Sequence, residues 1–119
     1  MSNVAKTKSI SKADDQFFNK VKDTVEKNLA NMDLNAEMIA KAVFMSKRQL
    51  ERKLKPMTGL SPGEFIRQVR FIRARQILQD GEAVTVAEVS YAVGFKNVKY
   101  FSRLFRNQFG HSPAELLKN

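Results

Sequence analysis

The sequence contains no cysteine. That excludes a disulfide framework, a thiol nucleophile and a thiolate metal site, and it suits a reducing compartment. Histidine occurs once, as His111, in a turn where a surface position is expected. With no second histidine, no glycine-rich phosphate loop and no metal-ligand spacing, neither catalysis nor a metal or cofactor site is expected. Asp14 and Asp15 read as a helix opening, not as a carboxylate dyad. Phe95, Phe101, Phe105 and Phe109 read as core residues, not as a cofactor box. No apolar run reaches the roughly 20 residues a membrane span requires. Met1 to Lys12 lacks the apolar stretch of a signal peptide, so none is expected there.

Acid is scarce where base is dense. Of the 119 residues, 21 are Lys or Arg and 12 are Asp or Glu, a formal charge of +9. Lys41 to Arg75 holds ten basic residues against Glu51 and Glu64, and Lys96 to Arg106 holds four against none. A solvated, soluble surface accounts for scattered charge. Clustering that coincides with repeated segments favours a polyanionic partner.

The chain is organised around one stretch, Ser61 to Gly81, which reads as a long linker helix. Ser61 suits the N-cap, Pro62 the first helical position and Glu64 the third residue after the cap, while Gly81 marks the end. At about 100° per residue, Phe65, Ile66 and Val69 share one face in the first half. Phe71, Ala74, Ile77 and Leu78 gather on a roughly opposite face in the second, and Ile72 fits the first face better. A stripe that changes sides implies two different neighbours. The four arginines of this helix, Arg67, Arg70, Arg73 and Arg75, either reach a nucleic acid or face solvent and pair with acids elsewhere, and the latter is expected for most of them.

On either side the sequence repeats. Gly59-Leu60-Ser61-Pro62-Gly63-Glu64-Phe65 recurs as Gly110-His111-Ser112-Pro113-Ala114-Glu115-Leu116 at an offset of 51 residues. Ile39-Ala40-Lys41-Ala42-Val43 aligns with Val89-Ser90-Tyr91-Ala92-Val93 at an offset of 50, so the second copy gains one residue between these anchors. The expected fold is all-α, about seven helices, with two helix-turn-helix units joined by the linker helix.

Residues 1–13 read as a disordered lead-in, rich in Ser and Lys. Residues 14–119 form the domain, with units at about 33–60 and 84–117 and the linker at about 61–80. Asp14 to Asn31 is predicted as a first helix that completes the core through Phe17, Phe18, Val21, Val25 and Leu29. Asp33 or Asn35 caps a short helix to about Val43, with Ala36, Ile39, Ala40 and Val43 inward. Ser46 caps a third helix, about Lys47 to Met57, which buries Leu50, Leu54 and Met57 and is closed by Pro56. Thr85 caps a helix through Val93, with Val86, Val89 and Ala92 turned inward. Gly94 supplies the turn, and Lys96 to Phe109 is the matching second helix. Ser112 and Pro113 open a last short one.

This arrangement resembles the C-terminal DNA-binding domain of AraC/XylS-family transcription regulators over roughly Asp33 to Leu117. The most specific run is Ile77-Leu78, then Val86 through Phe95, Tyr100 through Arg106, and Phe109-Gly110-His111-Ser112-Pro113. The Asp14 to Asn31 helix resembles the one that precedes this domain in hybrid two-component regulators. The resemblance implies that the second helix of each unit enters a major groove, in successive grooves on one face of double-stranded DNA. An α-helix fits the major groove, where Arg bonds guanine bidentately, and two such helices are expected about one turn apart, roughly 34 Å or 10 bp. It further implies a regulator in the bacterial cytoplasm, not an enzyme, and, because no sensing domain or phosphoacceptor is evident, the output part of a larger protein. The family usually carries Gly in the first turn, where this chain has Phe44. A bulky residue at positive φ is strained, so a turn of another shape is expected there.

Arg48, Glu51 and Arg52 are the base-directed candidates of the first unit, with Lys47 and Lys55 toward phosphates. Glu51 is as well suited to an i±4 pair with Lys47 or Lys55. In the second unit Val98, Lys99, Ser102 and Arg103 are the base-directed candidates, and Lys96, Asn97 and Arg106 the phosphate-directed ones. Arg52 and Arg103 occupy equivalent places. The helix starts at Ser61 and Ser112 are either further phosphate sites or simple caps. The competing reading is a helical protein-interaction module whose basic faces dock an acidic partner such as RNA polymerase. Single-strand or RNA binding would need exposed stacking aromatics, and most aromatics belong to the core.

Overall fold

The computed structural model describes residues 11–83 and 85–117. Seven helices follow one another among them, with no strand: α1 (Lys12–Lys27), α2 (Ala36–Ala42), α3 (Lys47–Thr58), α4 (Pro62–Gln79), α5 (Val86–Ala92), α6 (Val98–Phe109) and α7 (Pro113–Leu116). None is long and apolar enough to cross a membrane. Two compact units emerge. Among the described residues one holds 11–28 together with Asp33–Val69, and the other holds Leu29–Met32 and the chain from Arg70.

The expected lead-in falls largely on residues 1–10, outside the described part. Ser11 caps α1 by accepting from the Asp14 amide at 3.1 Å, so Lys12 and Ala13 already belong to the helix. The helix ends at Lys27 rather than near Asn31. Asn28 turns its side-chain amide onto the Thr24 carbonyl at 2.7 Å, and Leu29 leaves the stripe to join the other unit. Phe17, Phe18, Val21 and Val25 are buried as expected, with Phe18 edge-on to Phe65 at 5.9 Å.

In the first unit α2 is capped by Asn35, which accepts from the Met38 amide at 3.0 Å, and buries Ile39 and Ala40. A reciprocal Ser46–Gln49 capping box opens α3, and Leu50, Leu54 and Met57 are buried. Pro56 does not close α3. Within the last turn a proline forfeits a single amide bond, and the helix runs on to Thr58 before Gly59 ends it at φ 76°, its amide bonded to the Lys55 carbonyl at 2.7 Å. Gly110 ends α6 in the same way, at φ 80° and 2.8 Å from the Arg106 carbonyl.

The second unit is built around an aromatic core. Phe71 stacks on Phe95 and Phe101 at 5.4 and 6.1 Å, and Phe105 lies against Phe101 and Phe109 at 5.8 and 4.6 Å. Ala74, Ile77, Leu78, Val89 and Val93 complete it. Thr85 and Glu88 form the capping box of α5. Ala92, expected inward, is exposed; the inner line runs through Val89 and Val93, a spacing of four that leaves its neighbours outside.

The side-switching stripe of α4 is borne out. Phe65, Ile66 and Val69 are buried in the first unit, and Phe71, Ala74, Ile77 and Leu78 in the second. Ser61 caps α4 through the Glu64 amide at 3.2 Å, and the Glu64 carboxylate accepts the Ser61 amide at 2.9 Å. Those bonds hold the Glu64 carboxyl below its ordinary value of 4.5.

The expectation of a differently shaped first turn is overturned. Phe44 adopts φ 58°, and three backbone bonds of the turn repeat those of the second. Val43, Phe44 and Met45 donate to Ile39, Lys41 and Ala40 at 3.2, 3.1 and 2.9 Å; Val93, Gly94 and Phe95 donate to Val89, Tyr91 and Ser90 at 3.2, 3.1 and 2.9 Å. Holding an L-residue in the left-handed region costs about 1–2 kcal/mol, which the paired carbonyls and the caps on both sides impose on Phe44. The residue gained in the second copy lies between this turn and the cap, because Ser46 follows Phe44 by two while Asn97 follows Gly94 by three.

Gly94 is confined as well as left-handed. A Cβ there would meet the Leu29 carbonyl oxygen and lie 2.8 Å from an Arg70 nitrogen, whereas the Phe44 side chain is 95% exposed. Introducing glycine at the first turn and removing it from the second are therefore expected to act with opposite sign. Phe44→Gly raises unfolding stability by about 0.5–1 kcal/mol, and Gly94→Ala lowers it by about 2 kcal/mol or more, measured by denaturant titration.

Glu64 supplies a pH signature. Its folded pKa is depressed, so its contribution is complete above the ordinary value of 4.5 and disappears as pH falls through the lowered one. Glu64→Gln keeps the acceptor and removes the charge. The Tm gap between the wild type and this variant is expected to be constant at neutral pH and to close as pH falls below 4.5 through the lowered value.

Candidate nucleic-acid interface

The outer face of α3 is set by its inner one. With Leu50, Leu54 and Met57 turned inward, Lys47, Arg48, Glu51, Arg52 and Lys55 are exposed. Among the described residues Glu51 makes no ion pair with Lys47 or Lys55, so its carboxylate is not committed to the helix surface. Lys53 differs from its neighbours. It is half-buried, 3.8 Å from the Asp14 carboxylate and 4.8 Å above the Phe17 ring, and so fastens α3 to α1.

On α6, Phe101 and Phe105 turn inward, while Lys99, Arg103 and Arg106 are exposed and Val98 and Ser102 half-buried. The helix begins at Val98, not Lys96. Lys96 and Asn97 precede it, and the Asn97 carboxamide oxygen accepts the Tyr100 amide at 2.9 Å as the N-cap. The Arg103 guanidinium lies over the exposed Tyr100 ring at 5.4 Å, an aromatic support that holds it along the outer face. Arg52 and Arg103 are both exposed at their equivalent places.

Two of the α4 arginines meet the expectation and two do not. Among the described residues Arg73 is exposed and pairs with Glu82 at 3.8 Å, and Arg67 is exposed. Arg75 lies 4.5 Å over the Phe109 ring. Arg70 is 9% exposed and donates to the Asn31 carbonyl at 2.7 Å, with its Cζ 5.9 Å from the Phe95 ring. Burial pushes its guanidinium down from the ordinary value, yet a guanidinium remains charged in proteins. A buried cation answered by a carbonyl and a ring follows from no periodicity in the sequence, because Arg70 lies between the two apolar stripes of α4.

Both helix starts considered as phosphate sites are occupied by caps. The Glu64 carboxylate closes the one at Ser61, and the Ser112 hydroxyl accepts the Glu115 amide at 3.3 Å. His111 is exposed, with Nδ1 3.2 Å from the Glu115 carboxylate. Among the described residues no three metal-ligating side chains come together. Two aromatics are exposed beside the cationic helices, Phe44 and Tyr100; the sequence marked Phe44 only as a turn residue, and the spacing of Tyr100 three residues before Arg103 was the available signal for the second.

Two faces rich in Arg and Lys, each on the second helix of a helix-turn-helix unit, are the geometry of groove readers. Comparison with known proteins agrees. The sequence model of the helix-turn-helix domain family matches residues 39–119. The chain is 35% identical over 107 residues to histidine kinase P4 of Formosa agariphila, covering 90% of this chain and 8% of that protein. It is 36% identical over 84 residues to the transcriptional activator RhaS of Escherichia coli, covering 71% of this chain and 30% of that protein. The chain thus spans under a third of these relatives. Among solved structures, a Chromobacterium violaceum transcriptional regulator with an AraC-type DNA-binding domain superposes with a TM-score of 0.79 at 30% identity, over 89% of this chain and 93% of that one. The C-terminal domain of AraT, a response regulator from Geobacillus stearothermophilus, superposes at 0.74 and 25% identity, over 84% and 82%. The chain belongs to the AraC-type helix-turn-helix family, the non-enzymatic DNA-binding domains of transcription regulators.

Proposed function

We propose that α3 and α6 are the two recognition helices and that they read successive major grooves of one duplex. The observation that carries this reading is the repeated geometry. Two units whose turns share three equivalent backbone bonds present Arg52 and Arg103 at matching places on exposed cationic helices. Arg48, Glu51 and Arg52 in the first unit, and Val98, Lys99, Ser102 and Arg103 in the second, face base edges. Arginine suits guanine, Glu51 a cytosine amino group and Val98 a thymine methyl. Lys47, Lys55, Lys96, Asn97 and Arg106 face phosphates. Asn97 does so with its side-chain N–H group, since its oxygen serves the cap.

The domain is the output part of a larger regulator in the bacterial cytoplasm. The small share of its relatives that it spans supports this, as does a histidine kinase among them. RNA polymerase is the second partner of this reading, checked by recruitment to the DNA-bound protein in a purified transcription assay.

Selection of bound sequences from random duplexes tests the proposal. Two enriched motifs about one turn, or roughly 10 bp, apart are expected, and no enrichment would favour the acidic-partner reading instead. At the selected site Arg52→Ala and Arg103→Ala each cost about 1–3 kcal/mol and relax discrimination at one position. Lys55→Ala weakens all sequences alike and flattens the log–log salt dependence by about 1, as read in salt-titrated binding isotherms.

A further inference from the structure

Phe44 is the least economical residue in the chain as folding alone would judge it. It holds a left-handed φ of 58° and leaves its ring 95% exposed, so it is strained and contributes no burial. The equivalent position of the second unit is Gly94, packed against Arg70 and the Leu29 carbonyl, with no room for a side chain. A ring at this turn therefore distinguishes the first unit from the second.

Its surroundings indicate what it meets. Phe44 lines a shallow groove with Met45, Gln49, Arg52 and Lys53. Around α3 at about 100° per residue, Arg48, Arg52 and Lys55 oppose the buried Leu50, Leu54 and Met57, while Gln49 and Lys53 lie on one flank. Phe44 thus stands on the flank next to the proposed reading face, within the same groove as Arg52. A helix about 10–12 Å across nearly fills a major groove about 12 Å wide, so its flanks press on the groove walls. Those walls expose deoxyribose C–H groups and, at A·T pairs, the thymine methyl. Arg52, exposed in the same patch, supplies the positive charge that a DNA strand requires, while Lys53 is engaged with Asp14.

We propose that Phe44 is a further specificity-determining DNA contact, laying its ring on the apolar edge of one strand at the first unit's half-site. The contact rests on the reading of α3 as a recognition helix. It is confined to one half-site, because Gly94 has no counterpart to offer. Being apolar, it neutralises no phosphate and leaves the salt dependence unchanged.

The test compares the wild type, Phe44→Gly and Phe44→Ala on the selected duplex, with Arg52→Ala as the reference. Phe44→Gly relieves the turn strain, so a loss of binding in it is not a loss of folding; thermal unfolding of each variant verifies this. The expected result is a 3- to 20-fold weaker affinity for Phe44→Gly and Phe44→Ala at an unchanged salt slope. Thymine-to-uracil replacement, scanned across both half-sites, separates the two sources of apolar contact. If the methyl is the partner, one replacement in one half-site weakens the wild type and has no further effect on Phe44→Gly. If the sugar is the partner, every replacement acts equally on both proteins while the loss from Phe44→Gly persists.

Wild-type affinity in Phe44→Gly, alongside a clear loss in Arg52→Ala, overturns this inference and leaves the α3 reading intact. Wild-type DNA affinity combined with lost activation in a purified polymerase assay overturns it in favour of a protein contact. If the wild type selects no sequence at all, the α3 reading fails and this inference falls with it.

Discussion

The fold depends on one constraint: α4 has to satisfy two cores with a single rod. A helix repeats every 3.6 residues, so a stripe that serves one neighbour along its whole length keeps to one face. In α4 the apolar residues Phe65, Ile66 and Val69 supply the first unit, and Phe71, Ala74, Ile77 and Leu78 supply the second. Each half buries side chains worth about 1.5–3 kcal/mol apiece relative to exposure, so neither half is a passive spacer. Arg70 stands at the changeover, where its guanidinium holds the Asn31 carbonyl beside Gly94. The segment after α1, Leu29–Met32, belongs to the second unit, and that bond ties it there.

The recognition faces follow from burial, not from any feature designed into them individually. Once Leu50, Leu54 and Met57 are inside, the alternate face of α3 has nowhere to go but solvent, and every residue there except Glu51 and Pro56 carries a positive charge or a polar group. The same logic on α6 exposes Lys99, Arg103 and Arg106 behind Phe101 and Phe105. The caps then fix where each face starts. Ser46 and Asn97 do equivalent work from different side chains, and the extra residue before Asn97 is absorbed ahead of the helix, so the faces of the two helices stay in register with their own cores.

Much of this was legible beforehand. The caps at Ser46, Ser61, Thr85 and Ser112, the buried lines of α3 and α6 and the switch in α4 all follow from short-range rules: cap chemistry and a fixed angular step. Where short-range rules misled, long-range contacts had intervened. Leu29 fits the stripe of α1 by spacing but packs with the second unit. Arg70 looks like one of several solvated arginines and is buried. Lys96 and Asn97 look helical by pattern, yet Asn97 is the better cap and takes that place. Ala92 shared the periodicity of Val89 without sharing its burial.

The residue pattern by itself determined the helices, their caps and the cationic faces, because each of those depends on neighbours no more than four residues away, and the doubled unit is visible as a repeat at offsets of 50 and 51. Only tertiary structure decided the burial of Arg70 and the need for glycine at position 94. Phe44 is held left-handed by a local frame that its own side chain does not favour, the last carbonyls of α2 on one side and the capping box of α3 on the other. Gly94 is required by an arginine 24 residues earlier in the chain and by the Leu29 carbonyl, and no local pattern encodes a contact made across that separation.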